Sequence, residues 1–146
     1  MCSCNRDTIF DEERSFSNDT WNRFQNETFE VSANNVDDFY DFYITVTIDT
    51  AQYIYRTLPL NINLYSPNGE RRMFQGTVTL RTPDGRLKGT TEGTLLTTTK
   101  KVRDCYCFNV KGSHRIEIGQ ATNYYDIHGV KSIRMNITKT KLEYPE

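Results

Sequence analysis

The chain has 146 residues, enough for one domain with a single core and too few for two comfortable ones. Its 18 Lys+Arg against 19 Asp+Glu leave a net charge of -1, so no clustered basic excess marks a nucleic-acid footprint. The pairs Arg71-Arg72 and Lys100-Lys101 and the run Lys139-Thr140-Lys141 are scattered and read as solvated strand ends. No run of 18 apolar residues is present, which excludes a transmembrane helix, and no signal-peptide pattern stands in the sequence as given. Abundant Thr, Tyr and Phe favour strands over helices.

Residues 1–26 read as a short mobile tail, an anchor and a lead-in, and 27–146 as the folded domain. Met1-Cys2-Ser3-Cys4 loosely fits the end of a bacterial lipoprotein signal, in which small residues precede the cysteine that receives the lipid. Cys4 is the first candidate for that anchor and Cys2 the second. Trp21 and Phe24 are expected to seal one end of the core, with ligand stacking by Trp21 as the sharper alternative.

Thr28-Phe29-Glu30-Val31 is a short strand. Tyr40 to Asp49 is a long one, with Phe42, Ile44, Val46 and Ile48 inward and Tyr43, Thr45, Thr47 and Asp49 outward, because successive side chains leave a strand on opposite faces. Tyr53-Ile54-Tyr55 carries the chain toward a second sheet. Leu60, Ile62 and Leu64 alternate with polar residues, and Ser66-Pro67-Asn68-Gly69 is a turn in which Pro fixes φ and Gly supplies a positive one. Arg72 to Leu80 returns, Thr82-Pro83-Asp84-Gly85 turns again, and Leu95 to Thr99 is a strand or an edge. The late stretch Cys105–Ile137 organises the rest: Tyr106, Phe108 and Val110 on one face, a turn at Lys111-Gly112, then the alternating runs around Ile116 and Ile118 and around Ile133, Met135 and Ile137. Gln120 to Gly129 between them is too polar and glycine-punctuated for a helix. Short strands at this spacing predict an all-β fold, a single antiparallel β-sandwich of immunoglobulin-like or jelly-roll-like kind.

Chemistry is sparse. His114 shares the register of Ile116 and Ile118 and faces the core or its rim, while His128 precedes Gly129 in a turn. No nucleophile elbow is present, no cue lowers the pKa of Cys105 or Cys107, and no helix follows Gly85, Gly89 or Gly93 to form a phosphate cradle, so the chain is expected not to be an enzyme and to need no cofactor. Asn34-Asn35-Val36-Asp37-Asp38 with Asp41 gathers oxygens without calcium-loop spacing and reads as solvated acids; no metal site is expected. The two Cys-x-Cys pairs admit a zinc site or a disulfide between the chain's ends, but free, half-buried thiols at Cys105 and Cys107 are the reading preferred. Plentiful tyrosines, with Trp21, Tyr43, Tyr65, Tyr124 and Tyr125 as candidate contacts, admit a glycan-binding module, although tyrosines on the outer face of strands also pair across strands as ordinary β-formers.

The succession of a terminal cysteine, Phe10-Asp11, Trp21 and Phe24, Leu58-Pro59-Leu60, Ser66-Pro67-Asn68-Gly69, Pro83-Asp84-Gly85-Arg86-Leu87-Lys88-Gly89, the strand Phe108 to Ala121 and Ile127-His128-Gly129-Val130 resembles the gliding-motility lipoprotein GldH family of Bacteroidetes. The resemblance implies an outer-membrane lipoprotein, periplasm-facing or at the cell surface, held by lipid on its first mature cysteine. It implies a non-enzymatic accessory of gliding motility or the associated secretion machinery, whose partners are other envelope or motility proteins. The chain departs from the family in lacking a visible signal peptide and in carrying Cys105 and Cys107.

Overall fold

The computed structural model describes residues 7–141; the candidate anchors Cys2 and Cys4 lie outside the described residues. Eleven strands run in chain order: β1 (Thr8–Ser15), β2 (Thr20–Asn22), β3 (Glu27–Ala33), β4 (Tyr40–Asp49), β5 (Thr57–Tyr65), β6 (Arg71–Thr79), β7 (Thr90–Glu92), β8 (Leu95–Tyr106), β9 (Gly112–Gln120), β10 (Asp126–His128) and β11 (Val130–Lys139). A single 3-10 turn, Ser17–Asp19, is the one helical element among the described residues.

Two sheets face each other. One has the order β1-β11-β4-β8-β7 and the other β3-β9-β5-β6, all pairs antiparallel. Each sheet interleaves early and late strands, and successive long strands from β3 to β5 and from β8 to β11 alternate between sheets. That is the double Greek-key weave of a jelly roll rather than the immunoglobulin arrangement. A short ribbon of β2 with β10 caps one end.

The inward faces are those the alternation predicts. Phe42, Ile44, Val46 and Ile48 of β4 are fully buried, and they meet Phe29 and Val31, Leu60, Ile62 and Leu64, and Ile116 and Ile118 from the opposite sheet in one core cluster. At about 1.5–3 kcal/mol for each such side chain, the four from β4 alone supply a contribution comparable to the net stability of a small domain. The turn at Ser66 closes as expected: the Gly69 N–H donates to the Ser66 carbonyl at 3.0 Å, with Gly69 at φ +91.

Three expectations are corrected. The segment assigned to tail and lead-in carries two strands of the fold. β1 runs along β11 with Asp11 opposite Asn136 and Glu13 opposite Arg134, and Arg134 grips the Asp11 carboxylate through two hydrogen bonds of 2.6 and 2.5 Å. Leu95 to Thr99 is only the first part of β8, which continues to Tyr106; short β7 covers it at Leu95–Thr97 and the rest forms the edge of the sheet. Cys105 is exposed rather than half-buried, because the backbone bulges there at φ +51; Cys107 is half-buried as expected, and both thiols are free.

Strand directions define two poles. Asp7, the β3–β4 connection, the β5–β6 turn and the β8–β9 connection gather at one, which we call proximal; Lys139 N–H donates to Asp7 O there, at 2.8 Å. The distal pole collects the segments 16–26, 50–56, 80–94 and 121–129.

Candidate functional site: an aromatic pole

The distal pole holds most of the exposed aromatic surface. Phe24 is 74% exposed, Tyr125 68%, Ile54 65%, Tyr124 50% and Tyr55 41%. Tyr55 and Tyr124 stack with ring centroids 5.3 Å apart and an interplanar angle of 26°; Phe24 and Tyr125 tilt together at 5.9 Å. The Arg23 guanidinium lies 5.8 Å from both of the latter rings. These side chains come from three loops far apart in sequence, so the fold alone brings them together.

Buried polar groups hold each loop. Gln120 follows Ile116 and Ile118 on the inward face of β9 and is only 4% exposed. Its amide N–H2 donates to the carbonyl of Tyr124 at 3.0 Å and, at longer range, to those of Tyr125 and Trp21; its oxygen accepts from the Thr122 N–H at 2.9 Å and the Thr122 hydroxyl at 2.6 Å. The β5–β9 ladder ends here because Pro59 has no N–H to continue it, while its carbonyl still takes the Ala121 N–H at 2.9 Å. Arg81 pins the 50–56 loop by donating to the carbonyls of Tyr53, Tyr55 and Thr50 at 3.0, 2.7 and 3.1 Å. Trp21 is wholly buried, stacked on Phe16 at 4.6 Å, and its indole N–H donates to Gln25 O at 2.7 Å, fixing the turn that carries Phe24. The Tyr53 hydroxyl donates to Thr57 O at 2.7 Å, and burial, first among the causes, pushes that phenol's pKa up.

Gly129 closes the arrangement. It sits at φ +95, its N–H donates to Asp19 O at 2.8 Å, and its carbonyl accepts from Asp49 N–H at 2.7 Å. A Cβ there would lie 2.5 Å from the Tyr53 nitrogen, so only glycine allows the 50–56 loop to approach so closely.

Of the candidate contacts read from sequence, Tyr124 and Tyr125 belong to this pole. Trp21 does not: it is a core plug with no surface to offer a ligand, whereas Phe24, expected to seal the core beside it, is the exposed residue of the pair. Tyr43 and Tyr65 are half-buried on the outer faces of opposite sheets. Lys101 approaches the Tyr43 ring at 5.7 Å, and the Tyr65 ring lies between Arg115 at 4.4 Å and Arg71 at 5.7 Å. Tyr55 was readable from sequence as one of the plentiful tyrosines, and Ile54 only as part of a crossing segment.

A cavity of about 500 Å³ beside Tyr43 is lined by Asp7, Asp41, Lys101, Lys139 and Lys141, among others. Its central acid is already committed. Asp41 accepts from the Thr140 hydroxyl at 2.7 Å and from the Cys105 N–H at 3.1 Å, and pairs with Lys101 at 3.6 Å. Burial opposes ionisation of Asp41, but these partners together hold its carboxyl below the usual range. The bulge that exposes Cys105 is thus stabilised by Asp41.

Both histidines are engaged within the fold. His114 is buried, stacked edge-on to Phe108, and its Nε2–H donates to Val110 O at 2.9 Å. His128 Nδ1 stands 3.2 Å from the Thr20 hydroxyl, whose oxygen also lies 3.0 Å from its acceptor Asn18 O. Among the described residues, no group of three or more His, Cys, Asp or Glu is placed to hold a metal ion, and no helix is long and apolar enough to cross a membrane.

Weave and distal pole define an all-β jelly roll with a preorganised aromatic surface at one end. The sequence model described as GldH lipoprotein matches residues 8–137, from the first residue of β1 into β11, and the chain belongs to that family. No curated protein matches the chain. Among solved structures it is similar to one described as the structure of Eiger TNF from S. frugiperda, at 12% identity over 97% of this chain and 98% of that one; the TM-score of 0.39 carries no argument.

Proposed function

We propose that the chain is a lipid-anchored protein of the cell envelope, periplasm-facing or at the cell surface. In this reading it works without catalysis as an accessory of gliding motility or the secretion machinery associated with it. Membership of a lipoprotein family supports the anchor, with the lipid on Cys4 or Cys2, and the family's name supports the link to gliding. The observation that carries an interaction role is the exposed cluster of Phe24, Tyr125 and Arg23 on loops fixed from beneath. Large aromatics and arginine are the side chains that dominate the energetics of protein interfaces, and a surface ordered before binding loses less entropy on contact. The partner is another envelope or motility protein, and the surface used is the distal pole.

The test uses the full lipidated chain in the cells that make it. A photo-crosslinking residue at position 125 is expected to trap a discrete envelope protein, while one at position 65 does not. The double variant Phe24→Ala, Tyr125→Ala is expected to lower motility or secretion at undiminished abundance. Unimpaired motility and secretion in that variant would overturn the proposal.

A further inference from the structure

The Tyr55–Tyr124 stack forms a ridge with a groove on either side. One groove has a volume of about 220 Å³ and is lined by Tyr53, Tyr55, Thr57, Pro59, Ala121, Thr122, Asn123 and Tyr124. Not one of these carries a charge, in a chain of which 25% of residues are charged. The groove across the ridge, of about 230 Å³, differs in containing Asp126 and His128.

Beside the Tyr55 and Tyr124 hydroxyls, which meet each other across the stack, the polar side chains of the uncharged groove divide into two sets. The Tyr53 hydroxyl and the Thr122 hydroxyl are spent within the protein, on Thr57 O and on Gln120. Among the described residues the Asn123 amide and the Thr57 hydroxyl have no hydrogen-bond partner, and Asn123 is exposed. An amide supplies two donors and two acceptor lone pairs, and a hydroxyl supplies a donor and acceptors. What the groove offers is therefore aromatic surface, neutral donors and acceptors in both senses, and no ion-pairing group. A charged ligand would lose hydration there with no counter-charge to replace it. A purely apolar ligand would leave the amide and hydroxyl without partners.

We infer that this groove binds one ring of a neutral saccharide, whose C–H face lies against the Tyr124–Tyr55 ridge while its hydroxyls meet Asn123 and Thr57. The volume suits one sugar ring, and the open ends allow the chain of a polysaccharide to continue past it. The inference rests on reading the distal pole as a recognition surface, but it uses a groove that neither Phe24 nor Tyr125 lines. The Gln120 amide, by fixing the carbonyl of Tyr124, acts as a positioning group for the ridge.

The test is a titration of the protein with neutral oligosaccharides (gluco-, manno- and N-acetylglucosamine oligomers) and, in parallel, with oligogalacturonate as an acidic probe, followed by amide NMR. Saturable shifts confined to residues 55–59 and 121–125 are expected with at least one neutral oligomer, at millimolar affinity. Asn123→Ala, which removes no hydrogen bond among the described residues, and Tyr124→Ala are each expected to weaken binding about tenfold. Tyr65→Ala should leave it unchanged. The inference is overturned if no neutral oligomer gives saturable shifts up to about 30 times that millimolar range, if only oligogalacturonate binds, or if Asn123→Ala and Tyr124→Ala both bind as well as the parent. Failure here together with a distinct crosslink at position 125 leaves the protein-contact reading intact; saccharide binding with unimpaired motility in the Phe24 and Tyr125 double variant does the reverse.

Discussion

Replacing Gln120 by Ala tests whether the aromatic pole is held from below. The side chain makes three close hydrogen bonds, at 2.6, 2.9 and 3.0 Å, and two longer ones. At about 1 kcal/mol net for each close bond, their loss amounts to about 3 kcal/mol, and the space left by the amide adds to it. For a domain of this size that corresponds to a fall in Tm of about 10 °C. The damage should be local as well as global. In hydrogen exchange the amides of residues 121–125 should lose protection first, while those of β4 and β5 stay protected. Gln120→Glu sharpens the test, since it keeps an oxygen facing Thr122 but places another oxygen against the carbonyls of Tyr124, Tyr125 and Trp21. It should loosen the same loop at neutral pH and partly recover in acid, where a protonated carboxyl again donates. A loss below about 1 kcal/mol in Gln120→Ala, with exchange at Tyr124 and Tyr125 unchanged, would refute the reasoning.

Two further outcomes follow from the geometry. The Asp41 carboxyl is held below the ordinary value of about 3.9, so its stabilising effect is fully present above that pH and is lost as pH falls through the folded-state value. Urea unfolding between pH 6 and pH 2.5 should show a shallower acid limb for Asp41→Asn than for the parent, with Asp41→Asn the less stable of the two near neutrality. Gly129→Ala combines a positive φ with a Cβ 2.5 Å from the Tyr53 backbone nitrogen and should cost about 3 kcal/mol or more, read as a lower urea midpoint at unchanged m-value.

What the sequence made legible is the inner layer. The alternation is clear in β5 and through most of β4, β9 and β11 because both sheets have one wet and one dry face, and it marks the core residues; Gln120, at the end of β9, read instead as the start of a polar connection. β1 escaped notice because it is an edge strand: apart from Phe10 its side chains are exposed or half-buried, and Asp11-Glu12-Glu13-Arg14 reads as a solvated run until Arg134 and Ser132 are seen answering it from β11. The second half of β8 was hidden in the same way, its residues from Lys100 to Cys105 lying mostly on the wet side. The aromatic pole could not be assembled from sequence, since Phe24, Tyr55 and Tyr124 are brought together only by tertiary folding. One signal was available: a glutamine on the inward face at the end of an apolar strand must find partners, and the nearest are the carbonyls of the loop that follows.

The antiparallel course of β1 carries a geometric corollary. Its eight residues climb about 25 Å from Thr8 to Ser15 at roughly 3.3 Å each. In the proposed lipid-anchored reading, attachment upstream of Asp7 would hold the body by its foot and leave the ring-bearing crown at the far end, turned away from the leaflet toward whatever passes overhead.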